Sequence, residues 1–258
     1  MLIVCVAAFL SAGLTLFSGF GLGSLLLPVF AIFFPIETAV VATALVHLAN
    51  NLFKGALLGR FANMGVVLRF GVPALLAAVV GAYLLDALAG AEPLTTWQLG
   101  SRTCAITPVG IVIGLLVVGF SAFELHPVSR SMGFEVRWMP AGGALSGFLG
   151  GLSGHQGAMR TAFLIRLGMS KEAFLGTGIL CAILVDLARL STYAALSGGP
   201  RFGEVAGQTS LVVGATVSAF AGSWVGRRLL PKVEMQSIHL LVGVLLAVLG
   251  LAIAVGIV

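Results

Sequence analysis

Apolar residues along the chain fall into eight long segments that are separated by short polar stretches. The segments cover approximately residues 2–34, 37–58, 70–90, 104–123, 139–168, 173–197, 207–226 and 237–257. A helix that spans a bilayer needs about twenty apolar residues, and most of the segments have that length. The first and fifth are longer and carry glycine clusters in the middle, where each helical glycine costs about 1 kcal/mol relative to alanine. The pattern predicts an all-α polytopic membrane protein whose first and fifth segments are glycine-broken or re-entrant.

The second half of the chain repeats features of the first half in the same order. The matching runs are Ser18–Gly23 with Ser146–Gly151, Glu37–Thr43 with Lys171–Thr177, and Ala78–Tyr83 with Ala219–Trp224. They predict two repeats of about four apolar segments each, at residues 1–123 and 139–258, joined by a charged connector at residues 124–138. A duplicated, glycine-broken membrane protein is most often a transporter.

The basic residues between the segments predict how the chain crosses the membrane. If all eight segments simply cross, five basic residues face one side and six face the other. If the fifth segment instead enters and leaves on the same side, nine share one side and only Arg102 and Arg201 face the other. That bias fits the positive-inside rule. Segment two then runs inward and segment six outward, so we expect inverted repeats with a binding site near the midplane.

Composition narrows the class of protein further. Hydrophobic residues make up 59% of the chain and charged residues 9%, which is too little polar surface for a soluble domain of 258 residues. The three cysteines lie far apart, so they predict neither a disulfide framework nor a metal site. The net charge of +5 comes from basic residues scattered singly, which does not favour a nucleic-acid partner. No Walker motif is present, and we expect a secondary carrier without a cofactor.

A few ionisable and amide side chains interrupt the second and sixth segments. His47, Asn51 and Lys54 share one helical face with Asn50 beside them, while Asp186 and Arg189 lie on the sixth segment with Thr177 nearer its other end. A charge at the bilayer centre costs at least about 2.5–3.5 kcal/mol, so these groups are expected to face the bundle interior and form a site. Two alternatives remain: an ion pair within the sixth segment, and a lysine that snorkels to the headgroups.

The glycine-rich run of the fifth segment is dense in polar groups. It carries Ser153, His155, Gln156 and Arg160 within eight residues. A half-helix that begins near residue 155 would point free N–H groups and its positive dipole end at the gap, which suits an anion. Gly21, Gly23 and Ser24 could supply the matching half from the first segment. The alternative is that the glycines only permit close helix packing.

Two other classes of protein remain open. Gly151–Gly154 fits the short Gly-x-Ser-Gly pattern around the nucleophile of rhomboid-type intramembrane proteases. A nucleophilic Ser153 would need a base on another helix, and His47 is the embedded candidate. An anion channel is the other class, although it would not require two glycine-broken inverted halves.

Three runs together resemble the sulfite exporter TauE/SafE family of membrane transporters, also called the TSUP family. They are Gly19–Ser24 leading to Pro28, Ala39–Thr43, and Gly154–Arg160. The last is similar to a Gly-Leu-Ser-Gly-x-Gln-Gly-Ala-x-Arg form in one branch of the family, and the resemblance covers essentially the whole chain. It implies a transporter, not an enzyme, that moves sulfite, sulfoacetate or other organosulfonates across a bacterial inner membrane. At His155, Gln156 and Arg160 the chain departs from a glycine-and-proline pattern that other branches of the family have. This departure affects what the resemblance implies about the substrate more than what it implies about the family.

The embedded charges agree with an anionic substrate. Lys54, Arg160 and Arg189 are three cations against the single acid Asp186, which is expected to hold Arg189 in place. We expect alternating access around the anion, in the direction of export, with His47 or His155 carrying a coupling proton. The neutral donors that fix the anion's orientation are expected to be Asn50, Asn51, Ser153, Gln156 and Thr177. The anion, the direction and the oligomeric state are left open by the sequence.

Overall fold

The computed structural model describes residues 1–18, 22–126, 133–197, 200–229 and 235–258, and the side chain of Ser24 is not part of that description. The α-helices are α1 (Leu2–Ser18), α2 (Leu22–Ala31), α3 (Ile36–Leu58), α4 (Met64–Val66), α5 (Val72–Ala89), α6 (Pro108–Leu125), α7 (Met139–Ser153), α8 (Gly157–Leu164), α9 (Lys171–Ser197), α10 (Pro200–Gly207), α11 (Thr209–Leu229) and α12 (Met235–Ala254). A π-helical turn, Val67–Gly71, joins α4 to α5. Single 3-10 turns follow α3 and α8 and precede α7.

Four helical stretches in the described part of the chain are long and apolar enough to cross a membrane: Ile36–Phe61, Met64–Ala89, Lys171–Leu196 and Thr209–Gly226. Shorter apolar stretches lie in α1, α6 and α12. The prediction of an all-α, multi-pass membrane protein is confirmed. Among the four long stretches, those of α3 and α9 are the most buried, so these two helices form the centre of the bundle.

A β-hairpin interrupts the helical pattern between α5 and α6. Its strands, β1 (Thr95–Leu99) and β2 (Arg102–Ile106), pair in antiparallel fashion, and Gly100 at the turn has a positive φ of 63°. The sequence placed the start of the fourth segment at residue 104, whereas residues 104–106 are strand and α6 begins at Pro108. The apolar pattern alone did not separate this short strand from the helix that follows it.

The fifth segment is a hairpin of two half-helices. α7 ends at Ser153, and Gly154 then takes a left-handed conformation with φ 83°, which only glycine adopts readily. After this turn the chain folds back onto α7. The Ser146 hydroxyl donates to the Gln156 carbonyl at 2.9 Å, and the Phe163 ring lies against Gly142. The glycine break that the sequence predicts is therefore present.

The start of α2 lies beside the break in the fifth segment. α1 ends at Ser18 and α2 begins at Leu22, and the predicted break at residues 19–21 lies outside the described residues. A Cβ added at Gly23 would stand 3.2 Å from the carbonyl oxygen of Gly154. The start of α2 and the turn after α7 therefore meet inside the bundle.

The helices pair in a way that is approximately symmetric under exchange of the two halves. The most extensive packing joins α5 to α7, α1 to α11 and α6 to α12, followed equally by α3 to α9 and α5 to α9. Exchanging each helix for its counterpart in the other half turns α1–α11 into α7–α5 and leaves α6–α12 and α3–α9 unchanged, while α5–α9 becomes the less extensive pair α11–α3. Two repeats related by an approximate two-fold axis would produce this pattern. The opposite orientation of the repeats in the membrane, and their division at residues 123 and 139, stay predictions.

Glycine allows α7 to approach α5 at backbone distance. Gly143, Gly147 and Gly151 recur every four residues on one face of α7, and a Cβ added at Gly147 would overlap the carbonyl oxygen of Ala74. Small residues at this spacing let membrane helices pack closely. The close contact accounts for part of the glycine content, as the alternative of close helix packing predicts.

The short helix α10 covers the end of the bundle at which α3 begins. Arg201 of α10 forms an ion pair with Asp86 of α5 at 2.9 Å, and the Thr38 hydroxyl of α3 donates to Glu204 at 2.6 Å. Val205 on the same helix is buried. α10 therefore links both α3 and α5 of the first half to the second half.

We predict that Gly147→Ala destabilises the protein by about 1–3 kcal/mol or more, because its methyl group would displace the backbone of α5. Gly119→Ala on α6 is the matched control, since a Cβ there would meet no atom within 4 Å. Thermal unfolding in detergent measures both variants. Equal melting temperatures for the two variants would contradict the close contact.

Candidate functional site

The two central helices run antiparallel and bring their polar residues to the same level. His47 of α3 contacts Asp186 of α9, and nearer the end of α3 the backbone N–H of Asn63 donates to the Thr177 hydroxyl at 2.9 Å. His47 and the turn after α3 therefore each have a polar partner on α9. The polar face that the sequence predicted on the second segment points into the bundle.

Asp186 is the centre of a buried hydrogen-bonded cluster. Its Oδ2 accepts from His47 Nδ1 at 2.6 Å and from Asn51 Nδ2 at 3.1 Å. Its Oδ1 accepts from Arg189 Nε at 3.0 Å and Nη2 at 2.7 Å, and from Gln156 Nε2 at 3.3 Å. These five residues, which we call the Asp186 cluster, come from α3, α9 and the turn between α7 and α8. The ion pair within α9 that the spacing predicts is confirmed.

The guanidinium of Arg189 also fastens the broken segment to α9. Its Nη1 donates to the carbonyl of Gly150 at 3.3 Å, and the hydroxyl of Tyr193 donates to the carbonyl of Gly151. The last carbonyls of a helix have no partner within the helix, so side chains must satisfy them in an apolar interior. Tyr193 does this for Gly151, whereas the carbonyl of Gly150 accepts both from Arg189 and from the backbone N–H of Gly154. Arg189 thus already has an acidic partner and a backbone partner.

Two further cations lie beside the cluster without an acidic partner. Arg160 Nη1 donates to the Gln156 Oε1 at 3.3 Å, and Arg160 is half-buried. Lys54 is only 7% exposed, and it makes no hydrogen bond or ion pair with any residue in the described part of the chain. The two cations are near enough for their charges to repel each other. The burial of Lys54 does not fit a lysine that snorkels to the headgroups.

The start of α8 adds further positive potential to this region. α8 begins at Gly157, directly after Gln156, and carries Arg160 in its first turn. The first amides of a helix have no acceptor within the helix, and its dipole places a partial positive charge at that end. Lys54, Arg160 and the first turn of α8 therefore form a region that attracts anions. We call this region the cationic site.

His155 and Ser153 lie at the turn itself. The ring of His155 stacks on Phe120 of α6, with centroids 5.2 Å apart. Its Nδ1 lies 3.1 Å from both the carbonyl and the hydroxyl of Ser153, and the Ser153 hydroxyl donates to the Leu149 carbonyl at 3.1 Å. His47, the base that a hydrolase would require, is bonded to Asp186 and not to Ser153.

The other predicted residues lie apart from the cluster. Asn50 points to α11, where its Oδ1 accepts from the Ser223 hydroxyl at 2.8 Å. Thr177 caps the turn after α3 through Asn63, towards the other end of α9. Gly23 is buried against Gly154. Gly21 and the side chain of Ser24 lie outside the described residues, so their predicted roles stay predictions.

Sequence reasoning did not assign the backbone acceptors Gly150 and Gly151 to the site. The carbonyls of these glycines carry no signal of their own, because any residue could supply them. Tyr193 did carry a signal, since it lies four residues after Arg189 and therefore on the same face of α9. Its partner on α7 could not be read from that spacing.

Comparison with known proteins gave one match. A family model described as "Sulfite exporter TauE/SafE" matches residues 3–253, which is nearly the whole chain. No curated protein matches the chain, and no solved structure does.

We predict that Asp186→Asn destabilises the protein by roughly 3–5 kcal/mol, because it leaves Arg189 buried without a counter-charge. The double variant with Arg189→Gln removes both charges and is expected to recover a large part of that loss. Thermal unfolding in detergent of the two single variants and the double variant gives the coupling energy. Losses that simply add would show that the ion pair does not hold the cluster together.

Proposed function

The chain belongs to the sulfite exporter TauE/SafE family, and we propose that it is a secondary transporter that exports sulfite or a small organosulfonate by alternating access. The family consists of membrane transporters of small sulfur-containing anions and not of enzymes. The proposed location is the inner membrane of a bacterium. Family membership implies transport of a small sulfur-containing anion. We further propose where the anion binds, which helices move and which residue couples transport to a proton.

The observation that carries the proposal is the unequal number of positive and negative charges inside the described part of the bundle. Lys54, Arg160 and Arg189 lie in the bundle with Asp186 as their acidic neighbour, and Asp186 is already bonded to Arg189. Leaving two cations uncompensated in an apolar interior is expensive. An anion at the cationic site would offset that cost. Arg189 then acts as a positioning residue, while Lys54 and Arg160 touch the anion.

The shape of the donor groups suits a sulfur oxyanion. A guanidinium presents a planar fork of N–H donors, and an ammonium presents three rotatable ones. Sulfite and sulfonates offer three acceptor oxygens, which Arg160, Lys54 and the first amides of α8 can share. Gln156 holds Arg160 through its Oε1 while its Nε2 donates to Asp186. Gln156 therefore connects the cationic site to the Asp186 cluster.

The cationic site is built from both halves of the chain, which suits alternating access. Lys54 belongs to α3, whereas Arg160 belongs to α8. A movement of one half against the other changes the distance between the two cations and hence the affinity for the anion. At the end where α3 begins, α10 closes the bundle through Thr38 and Glu204, and we assign to it the part of an outer gate.

Proton coupling is assigned to His47. Its Nδ1 lies 2.6 Å from the Asp186 carboxylate, so a proton on this imidazole is directly linked to the ion pair that positions the break. Loss of that proton changes the charge of the Asp186 cluster by one unit. The cationic site would sense this change through Gln156.

Influx of labelled sulfite and of a labelled small organosulfonate into proteoliposomes, with and without a pH gradient, tests the proposal. We expect saturable influx in the wild-type protein and a loss of at least about tenfold in Arg160→Gln and in Lys54→Gln, since each removes a charge-assisted contact. Arg137→Gln is the matched control, because Arg137 is exposed and pairs with the exposed Glu135. Unchanged influx in both interior variants would remove the two cations from the anion site, and influx that does not saturate would indicate a channel.

A second experiment tests the outer gate. Cysteines at positions 38 and 204, introduced as Thr38→Cys with Glu204→Cys, can be joined by a short, reducible thiol crosslinker. We expect crosslinking to stop sulfite influx and reduction to restore it, because α10 can then no longer leave α3. Each single variant, treated in the same way, controls for Cys5, Cys104 and Cys181. Full activity of the crosslinked double variant would contradict the gate.

A further inference from the structure

Three buried polar atoms have no hydrogen-bond partner within the described residues: Oγ1 of Thr43, Nε2 of His155 and Nδ2 of Asn50. Asn50 is held by Ser223 through its Oδ1, whereas Thr43 and the turn that carries His155 lie near the contact of Gly23 with Gly154. Thr43 and His155 are each only 1% exposed. A buried polar group without a partner costs about 1–3 kcal/mol, and native proteins rarely leave one unpaired. Unpaired atoms in the interior of a transporter are therefore candidates for contact with its cargo.

Thr43 lies at a different level of the bundle from Lys54 of the cationic site. Thr43 precedes His47 by one helical turn on α3, whereas Lys54 follows His47 by about two turns. The Asp186 cluster therefore separates Thr43 from Lys54.

The contact of Gly23 with Gly154 brings Thr43 close to the turn that carries His155. A Cβ added at Gly23 would lie 3.6 Å from Thr43 Cγ2 and 3.2 Å from the carbonyl oxygen of Gly154. His155 follows Gly154 directly, and Arg189 Nη1 lies 2.9 Å from the place of a Cβ on Gly154. Thr43, the turn that carries His155 and one edge of Arg189 thus lie around the contact of Gly23 with Gly154.

The hydrogen bonds of His155 determine which ring nitrogen carries the proton and which can accept a hydrogen bond from a ligand. Nδ1 lies 3.1 Å from the Ser153 carbonyl, and a carbonyl oxygen only accepts, so Nδ1 carries the proton. The Ser153 hydroxyl already donates to Leu149 and cannot donate to Nδ1. Nε2 of the neutral ring is therefore an acceptor without a donor. The hydroxyl of Thr43 can both donate and accept.

We infer that Thr43 and His155 form a second anion station, which takes an oxyanion in its monoprotonated form. The O–H group of the anion donates to His155 Nε2, and another of its oxygens accepts from the Thr43 hydroxyl. This inference rests on the proposed function and narrows its substrate class. Hydrogen sulfite carries the required O–H group. An ionised sulfonate has none and would place an acceptor oxygen against the acceptor Nε2.

A site that bonds a hydroxyl of its ligand discriminates strongly against an analogue that lacks it, because a buried polar group is then left unpaired. The test is competition with labelled sulfite influx into proteoliposomes at mildly acidic pH, with unlabelled hydrogen sulfite or methanesulfonate as the competitor. We expect hydrogen sulfite to compete at least about tenfold better than methanesulfonate in the wild-type protein.

Two variants remove the two contacts separately. His155→Phe keeps an aromatic ring against Phe120 but has no ring nitrogen, and it is expected to bring the ratio between the two competitors close to one. Thr43→Val keeps the shape of the side chain and is expected to raise the half-saturating concentration of hydrogen sulfite by about threefold to tenfold, as expected for one lost hydrogen bond. Thr216→Val on α11 is the control, because its hydroxyl donates to the Val212 carbonyl of its own helix.

Thermal stabilisation of the detergent-solubilised protein by each anion gives a binding measurement that does not depend on transport. If His155→Phe and Thr43→Val both retain the wild-type discrimination and affinity while Arg160→Gln abolishes influx, the second station is wrong and the proposed function stands. If the wild-type protein neither transports sulfite nor is stabilised by either anion, the proposed function and the station both fall. The test does not depend on the folding of His155→Phe, because Thr43→Val is nearly isosteric.

Discussion

The buried carboxylate of Asp186 is the group on which the arrangement of the interior depends. It accepts hydrogen bonds from three separate parts of the chain, and its own position is fixed by Arg189 one turn further along α9. A single carboxylate in an apolar bundle is stable only when its lone pairs are occupied and its charge is balanced. Meeting that requirement brings α3, α9 and the turn after α7 to one point.

The broken segment creates the complementary requirement. Ending α7 at Ser153 inside the membrane leaves carbonyl groups that water does not satisfy. Arg189 and Tyr193 donate to these carbonyls, and the same arginine neutralises Asp186. One side chain therefore meets the electrostatic need of α9 and the hydrogen-bonding need of α7. The first amides of α8 have no acceptor within their own helix, and their N–H groups suit an anion.

Whether a feature could be predicted from the sequence depends on how far apart along the chain its interacting residues lie. Helix spans, the glycine break of the fifth segment and the pairing of Asp186 with Arg189 depend on residues close in sequence, and all three could be predicted. The contact of His47 with Asp186 joins two helices, so the spacing indicated a polar face but not its partner. The hairpin at residues 95–106 and the helix α10 were missed, because each is short and lies beside a long apolar run.

The two halves share a pattern of packing but differ in chemistry at their breaks. The break of the second half carries Gln156 and Arg160, whereas the glycine-rich run Gly19–Ser24 of the first half contains no charged or amide side chain. The first half contributes its cation from α3 instead, as Lys54. An approximately symmetric scaffold therefore holds an asymmetric set of charges. The two cations belong to different halves, so a movement that separates the halves weakens their combined attraction for the anion. The same movement would therefore lower the affinity of the site and release the anion.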